Sequence, residues 1–200
     1  MAYRIRTAVP DDAPRILAVY APYVTGSVIS FEVEVPTVEE FRRRIERTTE
    51  RCAYLVAVDE ATDEVAGYAY NGAFRSRPAY DWVSETSIYL APAHQGRHLG
   101  SVLLEALEDL MRAQGVRMSE ACITSDNEAS IAFHRAHGYR VCGEHTNCGY
   151  KLGRWLSVTW MEKQLLPFDA HPEPRHAPDR DAVDRVVEKA NKQLAALCAD

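Results

Sequence analysis

An α/β fold built on a mixed sheet flanked by helices is predicted for this 200-residue chain by three observations. Short apolar runs of strand length recur along it. Sustained patterns of helical period separate them. Their order, β-α-α-β-β-β-α-β-α-β-β, is that of an α/β sandwich. With 46% hydrophobic residues, the chain has ample apolar surface for one packed domain and an appendage.

Residues 3–7 alternate as a strand does. Pro10-Asp11-Asp12 then opens a helix, with Asp11 as the expected N-cap and Ile16, Leu17 and Tyr20 following at helical spacing. Residues 39–51 form a second, charge-rich helical pattern. Residues 54–58 read as a buried strand, turned by Glu60-Ala-Thr-Asp63 into residues 65–71 as a hairpin. Residues 82–90 are the third strand of that sheet, stopped near Pro92. Residues 100–114 are strongly amphipathic, with Val102, Leu103, Leu107 and Leu110 on one side and Gly115 just past the end. A strand over 118–124 and a short helix over 128–136, closed by Gly138, come next. Strands over 139–143 and 156–164 complete the sheet.

Near Pro167 the composition changes. Pro167, Pro172, Pro174 and Pro178 mark a linker, and residues 179–197 follow as a polar amphipathic helix. Its expected apolar stripe is Val183, Val186, Val187, Ala190, Leu194 and Leu197, docked on the domain or on a partner subunit. The expected division is therefore one domain over 1–166 and a linker plus helix over 167–200.

A net charge of −6 argues against a nucleic-acid partner, which calls for a basic face. No stretch reaches the roughly 18 apolar residues of a membrane span, and the N-terminus lacks the apolar core of a signal peptide. A cytoplasmic protein is expected. Five cysteines cannot all pair with one another, and their scatter suits reduced thiols. Cys142-x-x-His145-x-x-Cys148 offers three soft ligands where a structural zinc site takes four. Strand and turn residues are the expectation there, and no metal.

The chemistry concentrates between Glu85 and Gly138. A β-rich run, E-T-S-I-Y-L, leads into a turn bearing Gln95, Gly96 and Gly100, and a helix follows at once. Free N–H groups in such a turn, with the positive end of the helix dipole, suit the pyrophosphate of a cofactor.

That turn, Gln95-Gly96-Arg97-His98-Leu99-Gly100, resembles the Q/R-x-x-G-x-G/A signature of the GNAT acyltransferase superfamily. Residues 127–139, N-E-A-S-I-A-F-H-R-A-H-G-Y, resemble that family's N-x-x-[SA]-x-x-[FL]-[YH]-x-x-x-G-[FY] segment. The resemblance implies a mostly antiparallel sheet and acetyl-CoA as cosubstrate. The implied cofactor contacts are Tyr89, Leu90, Gln95, Gly96, Arg97, His98, Leu99, Gly100, Ser101, Asn127 and Ser130. His98 stands where the family has Gly. It is expected to be tolerated in a right-handed conformation, with Gly96 supplying the flexibility.

Three further stretches are similar to the phosphinothricin and methionine sulfoximine acetyltransferases: residues 28–32, 74–89 and 149–155. The resemblance covers residues 3–166. It implies acetyl transfer to the α-amino group of a small amino-acid-like acceptor such as methionine sulfoximine, methionine sulfone or phosphinothricin, and so a detoxifying enzyme. A protonated amine must lose a proton before it attacks a thioester, and a carboxylate in a cleft can take it. Glu85 stands at the implied general-base position, with His134 as helper or as proton donor to the CoA sulfur. His137, three residues on, is expected at the surface. Arg75 and Arg77 are expected to hold the acceptor by charge-assisted hydrogen bonds, with Phe31 and Tyr80 as walls. Lys151 and Trp155 are candidates to come from the partner in a homodimer. The alternatives are another amine (a polyamine, an antibiotic or a protein N-terminus) or an acyl-CoA sensor without catalysis. The arginines argue against cationic acceptors, and Glu85 against the sensor.

Overall fold

The computed structural model describes residues 2–197. The strands are β1 (Tyr3–Thr7), β2 (Tyr54–Asp59), β3 (Val65–Ala73), β4 (Val83–Leu90), β5 (Met118–Thr124), β6 (Arg140–Lys151) and β7 (Arg154–Gln164). The helices are α1 (Ala13–Gly26), α2 (Val38–Thr49), α3 (Leu99–Ala113), α4 (Glu128–Ala136) and α5 (Arg180–Leu197). All seven strands form one sheet in the order β1-β2-β3-β4-β5-β7-β6. Only β4 and β5 pair in parallel; the other neighbours are antiparallel.

Both faces of the sheet's centre are covered, so β2 is buried along its whole length and reads as a continuous apolar run. On one face Ile16 and Tyr20 of α1 and Phe41 and Ile45 of α2 pack on Tyr54, Val56 and Tyr68. On the other, Leu103, Leu107 and Leu110 of α3 meet Leu55, Ala57 and Ala69, joined by Ala190 and Leu194 of α5.

Asp11 does not cap α1. A short 3-10 turn over Pro10–Asp12 precedes the helix, and Asp11 is exposed and paired with Arg42 at 2.5 Å. The structural carboxylate is Asp12, which accepts from the Val9 amide at 2.9 Å, from Arg6 at 2.6 and 2.7 Å, and from Arg15 at 2.6 Å.

The last two strands are longer than the sequence predicts. Instead of 139–143 and 156–164 they run to Lys151 and from Arg154, joined by the two-residue turn Leu152-Gly153. Both turn residues have positive φ, +48° and +79°, the signature of a type I′ hairpin. β6 is exposed along almost all its length and has two register shifts, one between Val141 and Gly143 and one between His145 and Gly149. A strand with no buried face and interrupted pairing shows no apolar alternation to read.

The tail folds back onto the domain. Asp169 pairs with Arg117 at 2.8 Å, and the Trp82 indole donates to the Glu173 carbonyl at 2.8 Å. Ala182, Ala190 and Leu194 are buried and Val183, Val186 and Val187 pack against the core, whereas Leu197, expected in the same stripe, is exposed. Asn191 does more than pack. Its side chain donates to the Ile5 carbonyl at 2.9 Å and accepts from the Ile5 amide at 2.7 Å, completing the edge strand β1 as another strand would. Replacing it with Leu strands both buried backbone groups, so Asn191→Leu is expected to lower unfolding free energy in urea by roughly 1–3 kcal/mol.

Among the described residues Cys52, Cys122, Cys142 and Cys148 are free thiols; Cys198 lies outside them. No helix there is long and apolar enough to cross a membrane.

Candidate active site

The parallel pairing of β4 with β5 covers only Val83↔Met118, Ser84↔Ser119 and Glu85↔Glu120. Beyond Glu85 the two strands part. The opening is lined by residues 86–89 of β4 and 121–124 of β5, and Asn127, at the N-cap of α4, with Ser130 and His134 of α4 closes it around a cavity of about 70 Å³. Ser87, Tyr89, Cys122 and Thr124 also line a wider cleft of about 440 Å³, whose walls include Tyr20, Phe31, Glu32 and Glu85. The gap and the cleft are thus continuous, with Glu85 on one side and His134 on the other.

Beyond the end of β4 a turn leads to α3. Gly96 has φ +73°, and His98 has φ +59° and ψ 0°. His98 therefore does not meet the right-handed condition under which a side chain there is tolerated most easily: it takes the left-handed conformation that a glycine adopts freely. Histidine is among the side chains that tolerate this region best. The turn keeps its shape, and the first N–H groups of α3, which have no carbonyl within their own helix, point outward at its positive end. A Cβ on Gly100 would meet Leu90 and Phe133 at ordinary distances of 3.4 and 3.5 Å, so helix packing alone does not demand glycine there. A pyrophosphate fits this turn. Nearby, Gln95 donates to the Tyr23 hydroxyl at 3.1 Å, which donates to the Leu90 carbonyl at 2.5 Å.

Asn127 caps α4 by accepting from the Ser130 amide at 3.2 Å. His134 is 3% exposed, and its Nδ1 lies 2.8 Å from the Ser130 carbonyl. A carbonyl only accepts, so Nδ1 carries the proton and Nε2 presents a lone pair. Burial holds the imidazole pKa below its usual value, which keeps the ring neutral. His137 is half-buried, with Nδ1 2.7 Å from the Phe133 carbonyl.

Glu85 is half-buried, and burial raises its pKa while the charge of Arg75 opposes the rise. The Arg75 guanidinium stacks on Phe74 at 4.4 Å and lies 5.5 Å from Trp160. Tyr80 meets Phe74 edge-on at 5.7 Å, and Arg77 is exposed at the start of a 3-10 turn. Of the four expected acceptor residues, Phe31 lines the cleft and Arg75, Arg77 and Tyr80 do not. Lys151, a candidate contribution from a partner, is buried in its own chain and donates to the Ser30 carbonyl at 2.6 Å. Trp155 is 61% exposed.

Sequence reasoning missed Glu120. It is the register neighbour of both Glu85 and Glu162, and burial, followed by the charge of Glu162, pushes its pKa up to about 7. Tyr20, Ser30, Glu32, Cys122 and Thr124 were also missed as cleft walls. Ligand atoms of Glu120, Cys142 and Glu162 lie within 4.8 Å of one another. His145 instead sits against Trp160, 6.2 Å between ring centres.

The acetyltransferase (GNAT) domain family matches residues 5–160. A phosphinothricin N-acetyltransferase of Streptomyces coelicolor is 35% identical over 81% of this chain and 96% of its own length. An L-methionine sulfoximine/L-methionine sulfone acetyltransferase of Pseudomonas aeruginosa is 36% identical over 86% of this chain and 100% of its own. The crystal structure of a GNAT superfamily phosphinothricin acetyltransferase from Sinorhizobium meliloti, in complex with acetyl-CoA, superposes with a TM-score of 0.81 at 35% identity, covering 90% of this chain and 97% of that one. The parted β4 and β5, the turn before α3 and these likenesses agree: the chain belongs to the GNAT acetyltransferase family and is an acetyl-CoA-dependent N-acetyltransferase.

Proposed function

We propose that the enzyme acetylates the α-amino group of a small amino-acid-like acceptor, of which methionine sulfoximine, methionine sulfone and phosphinothricin are the leading examples, and so inactivates such compounds. The observation that carries this is the placement of Glu85 and His134 on one continuous gap and cleft. The names of the relatives supply the acceptor class.

Acetyl-CoA supplies an acyl thioester already activated toward an amine. The turn at residues 95–101 holds its pyrophosphate by backbone N–H groups. Tyr89 and Leu90, on the β4 edge left free by β5, and Asn127 and Ser130 on α4 flank the pantetheine arm. Glu85 accepts a proton from the acceptor's ammonium, directly or through one water, and the freed lone pair attacks the thioester carbonyl. The C–N bond forms, the C–S bond breaks with CoA leaving as its thiolate, and the second N–H proton passes to His134 or to solvent. His134, neutral with a bare Nε2, is suited to take a proton rather than to give one. Arg75, whose charge reaches Glu85, is the cation offered to the acceptor's anionic groups, and Arg77 lies outside the cleft lining. The acetyltransferase domain spans 1–166 and the tail 167–200; the described part of the tail, through residue 197, buttresses the domain from outside the reaction. The protein works as a homodimer in the cytoplasm; the exposed Tyr150, Leu152 and Trp155 of the β6–β7 hairpin support a subunit contact there.

A second reading rests on charge. Glu85 lines the cleft while Arg75 and Arg77 do not, and Glu32, also in its wall, is paired with Arg44, so the unpaired wall charge, that of Glu85, favours a cationic amine. Release of CoA from acetyl-CoA, followed with a thiol reagent, separates the two. Turnover on methionine sulfoximine, methionine sulfone and phosphinothricin, with none on spermidine, is the expected result. Turnover on spermidine alone replaces the acceptor, and no turnover with acetyl-CoA still bound points to a sensor.

A further inference from the structure

The segment between α1 and α2 forms one wall of the acceptor cleft through Ile29, Ser30, Phe31 and Glu32. It has no regular structure, and its fixed shape has to come from elsewhere. Much of it comes from the far end of the sheet. Lys151, 5% exposed, donates to the Ser30 carbonyl at 2.6 Å and the Tyr23 carbonyl at 3.4 Å. Thr124 donates to the Val28 carbonyl at 2.8 Å, and the Tyr20 hydroxyl meets Ser30 Oγ at 2.6 Å. A buried ammonium stays where its acceptors are, because an unpaired charge away from water is strongly unfavourable.

Two residues earlier, Gly149 receives the Phe31 ring. A Cβ built on Gly149 would lie 2.3 Å from Phe31 Cε2, 2.7 Å from Cδ2 and 3.1 Å from Cζ. Any side chain at 149 therefore moves the ring. The β6–β7 turn fixes both positions, since Lys151 pairs with Arg154 and Gly149 with Leu156 on either side of Leu152-Gly153.

We infer that Gly149 and Lys151 are positioning residues for acceptor recognition: Gly149 seats the Phe31 ring against β6, and Lys151 ties Ser30 beside it. This rests on the cleft at Phe31 being the acceptor site, and does not depend on which amine enters. Neither residue touches the reacting atoms. Their effect falls on acceptor KM and leaves the acetyl-CoA turn, beyond the end of β4, undisturbed. Ring displacement by one methyl group is a shift of about an ångström, which at a binding wall weakens acceptor use by roughly tenfold.

The test is a double-mutant cycle on the amine that the wild type acetylates best. Gly149→Ala is expected to raise acceptor KM roughly tenfold with acetyl-CoA KM unchanged. In a Phe31→Leu background, which removes the clashing ring, Gly149→Ala is expected to add less than about twofold. Lys151→Met is expected to raise acceptor KM as well, with acetyl-CoA binding by the same preparation showing that the protein is folded. An unchanged acceptor KM in Gly149→Ala overturns the inference. So does the same penalty with and without Phe31, which would mark Gly149 as a residue of β6 alone. Failure of the acceptor class shows separately, as a wild type that turns over spermidine and not methionine sulfone.

Discussion

Glu85→Gln is expected to lower turnover by about a hundredfold or more, the usual loss when a general base is removed, while acetyl-CoA affinity stays at the wild-type value. The amide keeps the shape of the side chain and its place on β4 but cannot accept the proton. The pH profile gives an independent reading. Burial raises the Glu85 pKa, and only the carboxylate acts as base. Wild-type kcat/KM should therefore rise with pH, with its inflection shifted upward from the ordinary glutamate value, and flatten once Glu85 is ionised. Glu120, at about 7, lies beside it and interacts with it, so the observed inflection belongs to the interacting carboxylates together. Unchanged turnover in Glu85→Gln removes Glu85 from the role.

The largest stability effect is expected at Asp12, whose side chain is fully buried. Burial by itself raises its pKa. Hydrogen bonds from Arg6, the Val9 amide and Arg15 more than reverse that and hold it down to about 2. Asp12→Asn leaves two guanidinium groups facing a neutral amide, and a loss of about 3–5 kcal/mol in urea unfolding at neutral pH is expected, the usual cost of breaking a buried ion pair from one side. The folded pKa lies below the unfolded one, so this stabilisation is present above about 4 and is lost as pH falls toward the folded value. The gap between wild type and variant should narrow over that acid range, by about 2 kcal/mol for a shift from 3.8 to about 2. A gap that does not change with pH would mean that Asn fails through packing rather than charge.

How much of this was legible in the sequence follows physical lines. β2 and α3 carry dense apolar patterns because each is buried by the layers around it, and both were read from composition and period. β6 was mostly invisible, being polar, exposed and bulged, and with it went the hairpin that places Gly149 and Lys151. The glycine-bearing turn before α3 was legible because its glycines and the helix after it are contiguous. His98 was misjudged because a left-handed histidine leaves no mark in the sequence. Glu120 was missed for a different reason: its neighbour Glu85 is set by the register of two parallel strands separated by a helix, which local spacing does not encode. The same limit hid the acceptors of Lys151, the Tyr23 and Ser30 carbonyls, which lie more than a hundred residues before it in the chain.

The most direct measurement is identification of the product formed from acetyl-CoA and methionine sulfoximine, which carries two nitrogens of different character. Product NMR alongside CoA release is expected to show one acetyl group on the α-nitrogen for each CoA freed, and no reaction without the enzyme. An acetyl group on the sulfoximine nitrogen, or CoA released at a rate that ignores the amine, would contradict the account.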